Sequence, residues 1–433
     1  MTFDYDVAIV GAGPIGSTLA YKIANCGYSV VMLEKKKKVG VPLQCAGIVS
    51  KKLRDFNEIP DELILNEAKG AYLYSVNHSL KVEKDETEAL IIDRVAYDQF
   101  LVKKAIDAGA KLFNKYKVIE VNSKTGLVKC QNNEEIHAKV IVGADGSKSF
   151  ISGLFNKEFK YFNASQYLIK TDTSFDFNNN DIRRGNSTNN TNNKNNCSNS
   201  DNNYNNNPRI DFVDIFAISK ILPGFLWCIP TSKNRYRIGL FSNNNYKDQK
   251  KVLNEFLDND NRFNNCTVLE RYHGKIPIFE KNKKLVNERI ILIGDAASQL
   301  KPTTGGGLII GFDTCNIAKD AIIKFLDKTN EDNNKNENNN LDLLKDYEKN
   351  FKKKYSKELS YQLKVQKTIE ILSDEDLDYM FTKLKDKNAE EIISKYGDMD
   401  KQSVLVKEFI KRGLIFSIIP KVFFRKLINI WSI

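Results

Sequence analysis

A chain of 433 residues with 66 Lys and Arg against 55 Asp and Glu carries a formal net charge of +11. That is length for a large core in two or three domains and a surface that favours anionic partners, although no nucleic-acid motif accompanies the diffuse charge. Seven Cys and three His without C-x-x-C spacing leave little to build a zinc site from, and we expect no metal. The odd cysteine number and the start without a signal peptide point to a reducing cytoplasm. No stretch approaches the roughly 18 apolar residues of a membrane span.

The first predicted element is a buried parallel strand over residues 7–10. Gly11, Gly13 and Gly16 follow as G-x-G-x-x-G at a strand-to-helix turn. Gly11 permits the turn, Gly13 leaves the backbone open to a pyrophosphate, and Gly16 lets the helix lie close to the strand. A helix over 17–26 ends at Gly27, and a second strand over 28–33 leads to Glu34, placed to accept hydrogen bonds from a ribose diol. Lys35 to Lys38 read as a solvated turn. The Gly- and Pro-marked stretch 39–48 is an ordered loop leaving the ligand-binding edge of the sheet. Its Cys45 either packs as a small apolar residue or faces a bound ligand.

A helix starts at Arg94 and runs to about Ala108, with Gly109 as its stop. Arg94 stands there either to reach an anion or carbonyl or as a surface residue. A strand over 116–122 holds Val118, residues 127–130 form its partner, and another buried strand over 138–147 ends in Gly143-Ala144-Asp145-Gly146. From 159 to 276 the pattern turns to short alternating segments (166–171, 210–218, 224–229, 236–241), the mark of an antiparallel-sheet domain. An Asn-rich insertion at 178–207 interrupts it. Alternation puts Phe225, Trp227 and Ile229 on one face, which either lines an apolar pocket or forms ordinary sheet core. The parallel style returns at 289–298, with Asp295 on the following loop. Gly305-Gly306-Gly307 then precedes a helix from Leu308 to about Leu326 and leaves bare N–H groups at its start. A second Asn-rich linker spans 329–340, and 341–433 is helical and charged. Its tail from Lys411 mixes basic and apolar residues, to dock on the core or to lie in a membrane interface.

The ordered set G-x-G-x-x-G at 11–16, Gly143-Ala144-Asp145-Gly146 and Gly294-Asp295-Ala296-Ala297, together with Glu34 and Arg94, resembles the FAD-binding domain of the p-hydroxybenzoate hydroxylase type. Within that fold, Pro42-Leu43-Gln44-Cys45-Ala46-Gly47, Phe225-x-Trp227-x-Ile229-Pro230 and Gly305-Gly306-Gly307-Leu308 resemble the geranylgeranyl reductase family, nearest to the archaeal digeranylgeranylglycerophospholipid reductases. Phe225 stands where Tyr is typical, Ile229 where Phe is typical, and Ile48 where Gly is typical. The resemblance implies an α/β protein: a Rossmann-type FAD-binding domain (1–158 and 277–328), an inserted antiparallel-sheet substrate domain (159–276) and a helical C-terminal region. It implies FAD contacts from Gly11, Gly13, Ile15, Gly16, Glu34, Cys45, Ala46, Gly47, Ile48, Arg94, Val118, Asp145, Asp295, Gly307 and Leu308. It also brings Cys45 beside flavin and substrate, as the one catalytic candidate, and sets Phe225, Trp227 and Ile229 along the substrate.

The function this implies is hydrogenation of C=C bonds in the isoprenoid chains of ether phospholipids. FAD would be reduced by ferredoxin or NAD(P)H at the cytoplasmic face of a membrane to which the protein is peripheral. An aromatic flavin monooxygenase and an electron-transfer flavoprotein are the alternatives. The missing cysteine spacing for an iron–sulfur cluster counts against the second. The W-x-W-x-I-P motif of flavin halogenases is broken here by Phe225.

Overall fold

The computed structural model describes residues 2–157, 160–171, 210–332 and 340–414. The insertion at 178–207, most of the second Asn-rich stretch and the tail beyond Leu414 lie outside the described residues.

The N-terminal part runs β1 (Tyr5–Val10), α1 (Pro14–Ala24), β2 (Val30–Glu34), β3 (Ile48–Ser50), β4 (Ile64–Ala68), β5 (Gly70–Tyr74), β6 (Ser79–Glu83) and β7 (Ala89–Ile92). It continues with α2 (Arg94–Asp107), β8 (Lys111–Asn114), β9 (Val118–Asn122), β10 (Leu127–Cys130), β11 (Glu135–Gly143) and α3 (Phe150–Gly153). The middle adds β12 (Tyr161–Lys170), β13 (Phe212–Phe216), β14 (Leu226–Ser232), β15 (Arg235–Ser242), α4 (Tyr246–Asn259) and β16 (Thr267–Pro277). The chain returns with β17 (Val286–Asn287), β18 (Ile290–Leu292) and α5 (Leu308–Glu331), then α6 (Lys345–Ile369), α7 (Asp374–Asp386), α8 (Ala389–Tyr396) and α9 (Ser403–Lys411).

The first sheet has the order β17-β18-β11-β1-β2-β8, with the β9–β10 ribbon hanging from β11. β1 lies at its centre, parallel to β2 and β11 in the register Val7↔Val30 and Val7↔Val140. Val7, Ala8 and Ile9 are fully buried, because a central parallel strand is covered on both faces and therefore reads as a continuous apolar run. α1 and α5 pack together against this sheet, and their N-termini meet at the carboxyl ends of the strands.

The second sheet has the order β16-β12-β15-β14-β13-β5-β6. Period-2 alternation gives it two different faces. Tyr236, Ile238 and Leu240 pack with Val252, Leu253 and Leu257 of α4. Phe241, Trp227, Ile229 and Phe162 point the other way, toward Ala46, Ile48 and the small β3-β7-β4 sheet. α4 starts where the Asn245 side chain accepts the Asp248 N–H at 3.0 Å.

This corrects the expected domain limits. The second sheet is not confined to 159–276: β5 and β6 join it from the N-terminal part, and β5 pairs with β13 in parallel. β6 pairs with its neighbour β5 and carries Lys81 and Glu83 in its run, and the partner that brings β5 into this sheet, β13, is more than a hundred residues away.

The C-terminal helices brace the loop before α5. Tyr347 of α6 donates to the Leu292 carbonyl at 2.7 Å and receives Gln299 Nε2 at 2.7 Å. Gln366 donates to the Pro302 carbonyl, and Thr303 Oγ1 donates to Gln362 Oε1 at 3.4 Å. Tyr347, Gln362 and Gln366 are all buried. Among the described residues no helix is long and apolar enough to cross a membrane.

Candidate cofactor and substrate site

The three glycines after β1 do different work. Gly11 has φ +102°, and a Cβ there would lie 2.4 Å from the Ala144 carbonyl oxygen. A Cβ on Gly16 would lie 2.1 Å from the Gly11 carbonyl oxygen. Both are glycine for the sake of the fold. Gly13 is not, since a Cβ there meets nothing within 4 Å. Its bareness leaves open space at the start of α1, as a pyrophosphate approaching the backbone requires.

Gly13 precedes α1 and Gly307 precedes α5, and neither helix start has a side-chain cap. Ile15 brings the two together. A Cβ on Gly311 would lie 2.4 Å from Ile15 Cδ1, one on Gly294 would lie 3.2 Å from Ile15 Cγ1, and Cys315 Sγ donates to the Ile15 carbonyl at 3.4 Å. Two sets of free N–H groups and two positive dipole ends thus share one corner, a setting for an anionic group. Leu308 opens α5 and packs beside Ile15.

Glu34, at the end of β2, accepts the Ala12 N–H at 3.1 Å and the Lys36 N–H at 2.9 Å. Each carboxylate oxygen keeps acceptor capacity for a diol. Asp295 is packed round by protein and yet exposed to solvent, the position of a group on the floor of a cleft. Desolvation pushes its carboxyl up to about 6, against the lowering pull of Arg94. Its carboxylate accepts no hydrogen bond among the described residues and stands beside Gly307, where a Cβ would lie 3.5 Å from Asp295 Oδ1. An unsatisfied carboxylate and a bare glycine cradle suit a dinucleotide with hydroxyls to offer, so the residues present fit that group.

Three of the residues expected at the cofactor are also engaged within the chain. The Asp145 carboxylate serves the chain: it accepts Ser149 Oγ at 2.5 Å and the Phe150 and Ile151 N–H groups at 2.7 and 3.2 Å. It thereby caps α3, and only its backbone, packed on Gly11, borders the cradle. Arg94 is tied to Asp98 one turn along α2 at 3.0 Å, both side chains buried, so its charge is already matched. Val118 is buried in the main core at the start of β9.

The loop 44–48 lies near the cradle, since Arg94 is close enough to feel Cys45 on one side and to act on Asp295 on the other. Gly47 donates to Cys45 Sγ at 3.3 Å. Gln166 of β12 donates to the Cys45 carbonyl at 3.4 Å and accepts the Trp227 indole N–H at 3.0 Å. The indole reaches Gln166 across β15 because residue 239 is glycine: a Cβ there would lie 2.5 Å from the Trp227 ring. Arg237, also on β15, donates through Nη1 to the Ala46 and Ile92 carbonyls at 3.0 and 3.1 Å. Phe225 meets Trp227 and Phe241 edge-on, with ring centroids 6.1 and 5.0 Å apart. Ile229, Ala46, Ile48, Ile276 and Met399 complete this apolar cluster. Met399 arrives from the C-terminal region, held by Lys301, whose Nζ donates to the Met399 carbonyl at 2.7 Å and to Asp400 Oδ1 at 2.8 Å.

Gln166, Arg237 and Lys301 carry this arrangement, and none was singled out from sequence. Gln166 had one legible signal: a polar residue in an alternating strand whose neighbours two residues away, Ala164 and Leu168, are apolar; Arg237, with Arg235 two residues before it, had none.

Fold and site together define a Rossmann-type dinucleotide-binding protein with the architecture of a flavoprotein. The chain belongs to the family described as lycopene cyclase protein, whose model matches residues 6–374. An uncharacterized protein of Methanocaldococcus jannaschii is 30% identical over 425 residues, covering 96% of this chain and 98% of that one. The digeranylgeranylglycerophospholipid reductase of Methanosarcina acetivorans is 27% identical over 339 residues, 73% of this chain and 74% of its own. Among solved structures, a geranylgeranyl bacteriochlorophyll reductase-like protein from Thermoplasma acidophilum superposes with a TM-score of 0.75 at 22% identity, covering 98% and 99% of the two chains. A halogenase in complex with FAD superposes with a TM-score of 0.60 at 14% identity, covering 94% of this chain and 84% of the halogenase.

Proposed function

We propose that this protein is an FAD-dependent reductase that hydrogenates C=C bonds in the geranylgeranyl chains of ether phospholipids, a step of membrane-lipid biosynthesis. The observation that carries the reading is the joining of two sites by one loop. Residues 44–48 are held by Gln166 and Arg237 to a sheet face of Trp227, Phe225 and Phe241, near the glycine cradle. The relatives named as digeranylgeranylglycerophospholipid reductases support the substrate class.

Bound FAD supplies a hydride equivalent, and each saturated bond takes up two electrons and two protons in all. The chain's own residues do the rest. Gly13 and the start of α1 would hold the pyrophosphate, Glu34 a ribose diol and Asp295 a hydroxyl of the linking chain, and the start of α5 would face the flavin. The α5 dipole favours the added negative charge of the reduced cofactor. An isolated alkene offers no dipole to grip, so the apolar face must position it and exclude water. Ferredoxin or NAD(P)H is the electron-donor class. The +11 surface suits peripheral attachment to an anionic leaflet at its cytoplasmic side.

The test is to purify the protein with FAD, reduce it without oxygen, add a geranylgeranyl ether phospholipid, and follow mass and flavin absorbance together. Gains of two hydrogens per bond with flavin reoxidation support the reading. An unchanged lipid overturns it, and hydroxylation of aromatic trial substrates in air would replace it with a monooxygenase.

A further inference from the structure

We propose that Arg237 is a receptor for an anionic oxygen that approaches where the second sheet meets the loop 44–48. The inference rests on the proposed function for the identity of the ligand, and on the structure for the need of one.

Arg237 points to the same side of β15 as Gly239 and Phe241 and is only 6% exposed. Its Nη1 is occupied by the carbonyls of Ala46 and Ile92. The guanidinium lies against the loop so closely that a Cβ on Gly47 would fall 1.8 Å from Nη1. Its other donors, Nε and Nη2, make no hydrogen bond among the described residues, and neither is sealed off from solvent.

Two other buried arginines are matched by acids. Arg94 has Asp98 at 3.0 Å, and Arg262 has Asp214 at 2.5 Å and Asp260 at 2.6 Å. Arg237 has no carboxylate within ion-pair distance among the described residues. Asp93, whose charge it feels, is spent on capping α2 through the Ala96 N–H at 3.0 Å. Arg94, although paired with Asp98, lies near enough for its charge to be felt at Arg237. A buried charge whose direct partners are two carbonyls, with Asp93, Cys45 and Tyr272 only nearby, is expensive to keep. Two free prongs of a planar fork, not sealed from solvent, are the donor set that binds phosphate or another anionic oxygen two-pronged. Arg237 also clamps the loop that carries Cys45, so whatever it binds is brought beside that loop.

The proposed chemistry can bring two such oxygens here: the anionic edge of reduced FAD and the phosphate of the lipid substrate. Arg237→Gln in the holoenzyme separates them, because Gln can still donate to the Ala46 carbonyl but has no charge. Two readouts are taken: the midpoint potential of bound FAD without lipid, and the KM for the phospholipid against the neutral diether. A fall in potential of about 30 mV, a tenfold change for a two-electron couple, assigns the cofactor. A roughly tenfold rise in phospholipid KM with the diether unchanged, the size expected from losing one charged anchor, assigns the headgroup. Arg237→Lys should restore part of either. If Gln fails to fold, Lys carries the test, since it keeps the charge and loses the fork.

An unchanged potential and an unchanged KM ratio in a folded variant overturn the proposal and leave a structural clamp. Loss of thermal stability alone, equal in Gln and Lys, does the same. If the wild type saturates neither lipid while Arg237→Gln still lowers the potential, the proposed substrate fails and the anion receptor stands.

Discussion

Trp227 and Gln166 are joined by an indole N–H to carboxamide oxygen bond of 3.0 Å, laid across the bare backbone of Gly239. The same Gln166 donates to the Cys45 carbonyl. One side chain therefore sets both the tilt of the indole and the height of the loop above it. Trp227 sits in an apolar face and could not otherwise satisfy its N–H.

Gln166→Leu should cost about 1–3 kcal/mol, the usual penalty for orphaning a buried donor. It should lower lipid turnover more than FAD affinity. Urea unfolding and flavin titration measured side by side check this. Equal loss in both would mean that the bond serves the whole core and not the sheet face.

The glycines of the cradle give a sharper contrast. Gly11→Ala must fit a methyl against the Ala144 carbonyl at positive φ and should destabilise the apo-protein by about 1–3 kcal/mol. Gly13→Ala meets open space and should leave apo stability within about 0.5 kcal/mol, while weakening FAD binding at least about tenfold by crowding the pyrophosphate. Thermal melts of the apo forms and flavin titrations separate the two.

Asp295 sets a pH dependence. Its carboxyl is raised from the ordinary carboxylate value to about 6, so between about pH 4 and pH 6 the folded chain holds a proton that the unfolded chain has released. Apo stability falls as pH rises through that window. Asp295→Asn removes the dependence: the apo variant should melt higher than wild type at pH 7.5 and converge with it near pH 4. Its FAD affinity should fall at both. A variant no more stable than wild type at pH 7.5 would contradict the desolvated site.

Lys301 holds the C-terminal segment to the loop before α5, with the Lys301 and Asp400 side chains 11% and 15% exposed. Lys301→Met leaves Asp400 without its partner and Met399 without its anchor. The loss should be about 3 kcal/mol, as for other broken, largely buried ion pairs. Protease nicking between α8 and α9 should rise in parallel, which limited proteolysis reads directly.

Much of the cradle was legible because backbone chemistry wrote it. A turn that needs positive φ at Gly11 and a helix packed against it at Gly16 admit few other residues, and the apolar run of β1 has no other use. Asp145 shows where such reading stops. An acid after a strand looks the same whether it meets a ligand or caps the next helix. Ser149, four residues on, decided for the cap. The alternation that puts Phe225, Trp227 and Ile229 on one face says nothing of what lies opposite. The opposing loop is held by Gln166 and Arg237, 121 and 191 residues from their carbonyl partners. Local pattern carries no trace of such distant pairings, and the pairing of β5 with β13 was missed for the same reason.

Ile15 leaves the ribosome early, and Cys315, which bonds its carbonyl, follows 300 residues later. The strand and turn of the first motif exist long before the second helix start that completes the corner. The corner that would receive the anionic group therefore closes only once residue 315 has been made, and until then the first motif stands as half a site.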